Sequence, residues 1–211
     1  MTINSIRDHY SEIFKAYDNH SAEKHINKIV ELDYYMPFNT TYFCVINSQK
    51  QTYEYISKNF EACTGIPTTT MKDGGVQYLW SLIHPNDVGL WLKGLELLMQ
   101  FTMTELTMDQ RSRMNYTWNY RIKNGSGKYI NIIQNTSPLT FDINDKPYIG
   151  LSHYTVLEGD NKMDICATAK YLNKNNEYET LYHNNITSQH LIDVFSNRER
   201  DVIRMLLLKK T

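Results

Sequence analysis

With 211 residues, 41% of them hydrophobic and 21% charged, the chain can bury one sizeable core and a small second unit, which excludes a disordered protein. Its longest apolar runs, such as Met205–Leu208, fall far short of the roughly 20 residues that span a bilayer, and its N-terminus lacks the apolar core of a signal peptide, so a cytoplasmic protein with no membrane partner is expected. Cys44, Cys63 and Cys166 are widely spaced and form no C-x-x-C pair, which excludes a disulfide framework and a zinc ribbon and leaves them as small core residues, with no metal site expected.

Residues 1–36 form an N-terminal helical segment. Ile6, Tyr10, Ile13, Phe14 and Tyr17 keep a helical period, Asp18–Ser21 interrupts it, and Ile26, Ile29, Val30 and Asp33 resume it, predicting two amphipathic helices. Such helices either cover the next domain or pair with a second copy.

From Pro37 the period changes to two. TYFCVIN and QTYEYIS, separated by the polar SQK, predict a hairpin. KNFEACTGIP reads as a short helix stopped by Gly65 and Pro67, and Pro85 opens a longer one with Leu90, Trp91, Leu95 and Leu98 on one face. Three strands follow, Asn115–Lys123, Lys128–Pro138 and Pro147–Leu157, joined by the turns NGSG and DINDK. Strand, strand, short helices and three strands predict an α+β domain over 37–158, a five-stranded antiparallel sheet with helices on one face.

Residues 159–191 hold a further hairpin signal, DICATAKYL and EYETLYH around NKNN, which either extends the sheet or stands as a separate arm. The last unit, 192–211, is FSNRERDVIRMLLLKKT with its approach. Ser196 and Glu199 make a capping box, and Val202, Ile203 and Leu206 form a stripe. Arg198, Arg200, Arg204, Lys209 and Lys210 outnumber Glu199 and Asp201, so this tail is basic on an acidic body and suits an anionic partner.

Several of these residues carry a family resemblance. Ser57-Lys58-Asn59-Phe60 through Thr64-Gly65, LIHPND at Leu82–Asp87, YRIKNGSGKYI at Tyr120–Ile130 and YIGLSHYTV, in this order and spacing, resemble a PAS sensory domain. FSNRERDVIRMLLLKKT resembles the first helix of a LuxR-type helix-turn-helix, although Lys209-Lys210 stand where that family has a small-residue turn. The second resemblance implies a regulator cut inside its output domain. The recognition helix is absent, no residue of this chain is expected to read bases, and DNA is a partner of the full-length protein only.

On the strand from Asn115, Tyr116, Trp118, Tyr120 and Ile122 share one face. Trp118 and Tyr120, with Trp91 and Leu95 of the long helix and Phe43 or Val45 of the first strand, are the candidate lining of a pocket for a flat apolar ligand, the alternative being a solid core. Haem and flavin are not expected. The helix after Pro85 carries no histidine for an axial bond, His84 is read as a helix cap and His153 as a satisfied core or surface residue, and the Gly-x-Asn-Cys-Arg motif of the family's flavin photosensors is missing. No catalytic motif occurs; GSGK at Gly125–Lys128 lacks the earlier glycine of a phosphate loop, and an enzyme is not expected. The resemblances imply the signal-sensing part of a dimeric PAS-containing LuxR-family transcription regulator, possessing no resident cofactor but open to a small-molecule ligand. The alternative is a PAS protein-interaction and dimerisation module with no DNA-binding role.

Overall fold

The computed structural model describes residues 23–157, 159 and 162–188, with positions 4, 5, 8 and 199 besides. The apolar residues of the first expected N-terminal helix, and the capping box, stripe and basic residues from Ser196 onward, lie outside the described residues, Glu199 excepted. The elements in chain order are α1 (Glu23–Tyr35), β1 (Thr41–Asn47), β2 (Thr52–Ile56), α2 (Phe60–Thr64), α3 (Thr68–Leu82), α4 (Pro85–Glu105), α5 (Met108–Ser112), β3 (Met114–Lys123), β4 (Tyr129–Phe141), β5 (Pro147–Leu157), β6 (Cys166–Leu172) and β7 (Tyr178–Asn185). The fold is α+β, with every pair of neighbouring strands antiparallel.

The sheet runs β2-β1-β5-β4-β3-β6-β7. The hairpin left open by the sequence therefore extends the expected five strands to seven, β6 pairing along β3 from Met114↔Tyr171 to Trp118↔Ala167. Small side chains make this addition fit: Ala167 and Ala169 are fully buried, and a side chain at Gly94 of α4 would stand 3.7 Å from Ala167 Cβ. The turn is closed by Asn173, whose Oδ1 accepts from the amides of Asn175 and Glu177.

Helices α2, α3 and α4 bury their apolar stripes on the inner face, with Phe60, Leu79, Trp80, Trp91, Leu92 and Leu95 packed over Tyr42, Cys44, Tyr120, Ile132 and Tyr154. α1 takes the outer face, where Ile29 packs with Phe43, Val45, Tyr148 and Ile149. It covers that face on the side opposite to the other helices. Asp33 anchors it: one carboxylate oxygen accepts from the Tyr55 hydroxyl at 2.7 Å and the Lys58 amide at 2.9 Å. Val30, placed by periodicity on the same stripe as Ile29, instead faces solvent.

Two clamps hold the helices to the sheet. At the start of α4, buried Asp87 accepts from Arg121 Nη2 at 2.6 Å and Nε at 2.9 Å, and from the Arg121 amide at 3.1 Å. His84 caps the same helix, its Nδ1 accepting from the Asn86 amide at 3.2 Å, as its place before Pro85 suggested. The second clamp is a backbone approach. Gly65 ends α2 in the left-handed region at φ 67°, and the Gly125 amide donates to Thr64 O at 2.9 Å. A Cβ on Gly125 would lie 1.8 Å from Gly65 O, so Gly125 serves this contact more than the hairpin turn it belongs to.

Gly125→Ala should destabilise the chain by about 2 kcal/mol or more, because rigid backbone must move to admit the methyl group. Denaturant titration beside Ser126→Ala, an exposed control in the same turn, measures it; equal midpoints for the two variants would refute the contact. Asp33→Ala should cost about 1–3 kcal/mol by leaving two donors without their acceptor, and should speed amide exchange in 23–35 ahead of the sheet.

Candidate functional site

The inner face of the sheet has a gap at its centre, and the strand register shows why. Along β3, Tyr116, Trp118, Tyr120 and Ile122 point inward as one phase, large at every step. The matching phase of β4 and β5 is different: Thr136 pairs with Ser152, and Pro138 with Gly150. Small residues at the sheet centre leave a cavity of about 90 Å³ under α4. Its upper wall is Val76 and Leu79 of α3 with Trp91, Leu95, Leu98 and Thr102 of α4, and its floor is Gln134, Thr136, Gly150 and Ser152, flanked by Tyr116 and Trp118. It lies where the main core meets a second core of Leu98, Leu106, Met114, Tyr116, Ala167 and Ile186, and Trp118 packs against both.

Of the six candidate lining residues, Trp91, Leu95 and Trp118 border this cavity. Tyr120 stands beside it, its ring 6.1 Å from that of Trp91 and its hydroxyl donating to Gln134 Oε1 at 2.7 Å. Phe43 and Val45 do not belong to it; they face α1 across the sheet, and the β1 residue at the cavity is Ile46. The reason is that β1 is buried on both faces from Tyr42 to Asn47, so its continuous apolar run carries no alternation from which the inner phase can be read. His153 pairs with Phe43 and Asn135 and lies on the outer phase, away from the cavity; partial burial lowers its pKa. Cys63 sits on α2, its thiol donating to Asn39 O at 3.3 Å, and burial pushes its pKa up.

The polar floor was not anticipated. Gln134 donates to Thr136 Oγ1 at 3.3 Å and Ser152 Oγ at 3.2 Å, and those two hydroxyls lie 2.8 Å apart. The available signal was polar residues on the core-facing phase of two strands otherwise carrying Ile132 and Tyr154. On the helix side, Thr102 donates its hydroxyl to Leu98 O at 2.7 Å and lies 2.8 Å from the Tyr116 hydroxyl. Among the described residues, no three His, Cys, Asp or Glu side chains come together to hold a metal ion, and no helix is long and apolar enough to cross a membrane.

Burial also sets the acid-base behaviour of the core. Tyr42 and Tyr154, stacked with ring centroids 4.6 Å apart, have their pKa values raised well above that of a free phenol by desolvation. Tyr116 is pushed up to about 12, desolvation outweighing the lowering effects of its Thr102 bond and the nearby Arg111 charge.

No protein-family model matches the chain, and no curated protein does. Among solved structures it is similar to the N-terminal domain of a diguanylate cyclase with PAS/PAC sensor from Marinobacter aquaeolei, at 18% identity and TM-score 0.42 over 55% of this chain and 94% of that one. Drosophila melanogaster Cycle PAS-B with bound ethylene glycol matches at 9% identity and TM-score 0.41, covering 55% and 99%. A sensory box histidine kinase/response regulator from Burkholderia thailandensis E264 matches at 16% identity and TM-score 0.41, covering 63% and 84%.

Tyrosine ionisation should couple to unfolding. A phenol whose folded pKa lies above its unfolded value contributes stability that is complete below about pH 10 and is lost as the pH rises toward 12 and beyond. For Tyr116 this amounts to about 2–3 kcal/mol. Unfolding free energies measured between pH 8 and 12 should fall steeply above 10, and less steeply in Tyr116→Phe; a flat profile to pH 12 would contradict the burial of these hydroxyls.

Proposed function

We propose that the chain is a PAS-type sensory unit that binds a small molecule between α4 and the sheet and passes the signal on through its flanking segments to a LuxR-type DNA-binding unit. The observation that carries this reading is the cavity itself: apolar above, hydrogen-bonding below, and bordered by the helix that spans both cores. Concave sites of this make-up are where small ligands bind. The strand and helix order agrees with the PAS resemblance of the four motifs quoted above, and two of them sit at structural clamps: HPND holds the Asp87–Arg121 contact, and NGSG holds the Gly125–Gly65 approach. The transcriptional part rests on the resemblance of residues 195–211 alone.

A homodimer belongs to this reading, because regulators of this kind address two DNA half-sites. α1 and the loop after it expose Leu32, Tyr34, Tyr35 and Phe38, a suitable surface for a second copy. The competing reading, a PAS interaction module with no DNA role, is favoured by that same surface. The two differ over DNA alone.

Native mass spectrometry of the chain purified without denaturation should detect a small non-covalent species that is released on unfolding. Leu95→Trp, which fills the cavity, should abolish its retention while circular dichroism remains that of the parent. Absence of any retained or added ligand, in a chain shown to be folded, would remove the sensory reading. Residues 1–211 should bind DNA only weakly, without sequence preference and with steep loss on added salt; enrichment of one motif from a randomised pool would show that a reader lies within this chain.

A further inference from the structure

Hydrogen counting at the cavity floor indicates the chemistry of a guest that would suit it. Gln134 spends both amide hydrogens, one on Thr136 Oγ1 and one on Ser152 Oγ, and its carbonyl accepts from Tyr120. The two hydroxyls carry two hydrogens, and their mutual 2.8 Å contact uses one. One hydroxyl hydrogen is therefore left without an acceptor among the described residues. A second surplus donor stands at the flank: the Trp118 Nε1–H is buried and has no partner among the described residues. Both surplus groups are donors. Ser152 is 1% exposed and Gln134 5%, whereas Thr136 is half-buried; carried on Ser152, the surplus hydrogen has no bulk water to turn to, and a buried donor left unmet costs about 1–3 kcal/mol.

The rest of the cavity sets size and charge. About 90 Å³ is less than the roughly 150 Å³ of an engineered apolar cavity that accepts benzene, so about three to five non-hydrogen atoms of a guest fit within it. Among the described residues no charged side chain borders the cavity, so an anion would lose its hydration without a charged partner to replace it. Water suits the floor better than the opposite wall, where Val76, Leu79, Leu95 and Leu98 offer no polar partner and the Thr102 hydroxyl is engaged with Leu98 O and the Tyr116 hydroxyl, since a buried water needs two to four polar partners.

Resting on the sensory reading above, we infer that the cavity is built for a small neutral carbonyl compound, its oxygen accepting from the Thr136/Ser152 hydroxyl pair and the Trp118 indole N–H and its alkyl part lying against α3 and α4. A carbonyl oxygen has two lone pairs and no hydrogen of its own, which matches two donors without adding a third to be satisfied.

The test uses three nearly isosteric probes on the whole chain: acetone, isobutene, which lacks the acceptor, and acetate, which is charged. The indole ¹H–¹⁵N resonance of Trp118, assigned by its disappearance in Trp118→Phe, reports occupancy. Acetone should shift it saturably and acetate should not. In Thr136→Val/Ser152→Ala, acetone binding should weaken about 3- to 30-fold, as the loss of one or two neutral hydrogen bonds implies, while isobutene binding holds or tightens. Ser152→Ala alone serves if the double variant does not fold. Equal effects on acetone and isobutene, or binding of acetate, would overturn the carbonyl assignment and leave the sensory reading intact. Failure of every probe to shift the resonance of the folded wild-type chain would overturn both.

Discussion

The placement of α4 depends on one buried carboxylate. Asp87 lies in the first turn of that helix, where a negative charge also complements the unpaired amides of the helix start, and its two oxygens meet three donors of Arg121. The His84 amide donates to Arg121 O at 2.9 Å, and Ile83 forms a bridge with Ile122, so side chain and backbone fix the same point. Asp87 is buried while Arg121 is half-buried; a buried carboxylate is tolerable only when nearly every bonding position is filled, and removing the partner of such a charge typically costs about 3–5 kcal/mol. From that anchor α4 crosses the sheet to Thr102 and Tyr116, passing over the small floor residues on the way.

The cavity is thus a product of opposed constraints. Protein interiors close on themselves wherever side chains can be moved together, yet this gap lies between a helix pinned at one end by an ion pair and a floor stiffened by the Gln134–Thr136–Ser152 contacts. The seven-stranded extension adds to the effect. By giving α4 a second core to rest on, around Ala167 and Ile186, β6 and β7 support the far half of the helix and keep it level above the floor.

Much of the fold was legible in the sequence because its signals are local. The polar turns SQK, NGSG, DINDK and NKNN, the Gly65 stop and the Pro85 start each impose their geometry within a few residues, so β5 has its expected bounds and the ends of β3 and β4 fall within three residues of theirs. Side-chain phase is legible where one face of a strand is polar, as on β3, and illegible on β1, where both faces are buried and the expected lining residue, Phe43 or Val45, turns out to face α1. Where the last hairpin attaches depended on β3 having a free edge, which no local pattern records. The floor was missed for a different reason: Gln134, Thr136 and Ser152 are unremarkable one at a time, and only the register of two strands brings them into contact. Val30 exposes the limit of periodicity itself, since a helix lying on a sheet buries a narrower stripe than its apolar residues suggest.

The sheet order has a consequence for synthesis. β1 pairs with β2 at once, but its other neighbour is β5, where Val45 meets Leu151 roughly a hundred residues later in the chain. At a translation rate of about 5–20 residues per second, β1 waits on the order of 5–20 s with that edge open. During this interval TYFCVIN, apolar on both faces, is a hydrophobic strand with an unpaired edge, the arrangement that recruits other chains. Helix α1, made before it, can shield the outer face from the start. The inner face must rely on α2 to α4, emerging in order behind it, so the helices inserted between β2 and β3 act first as a wrapper for a strand whose partner does not yet exist.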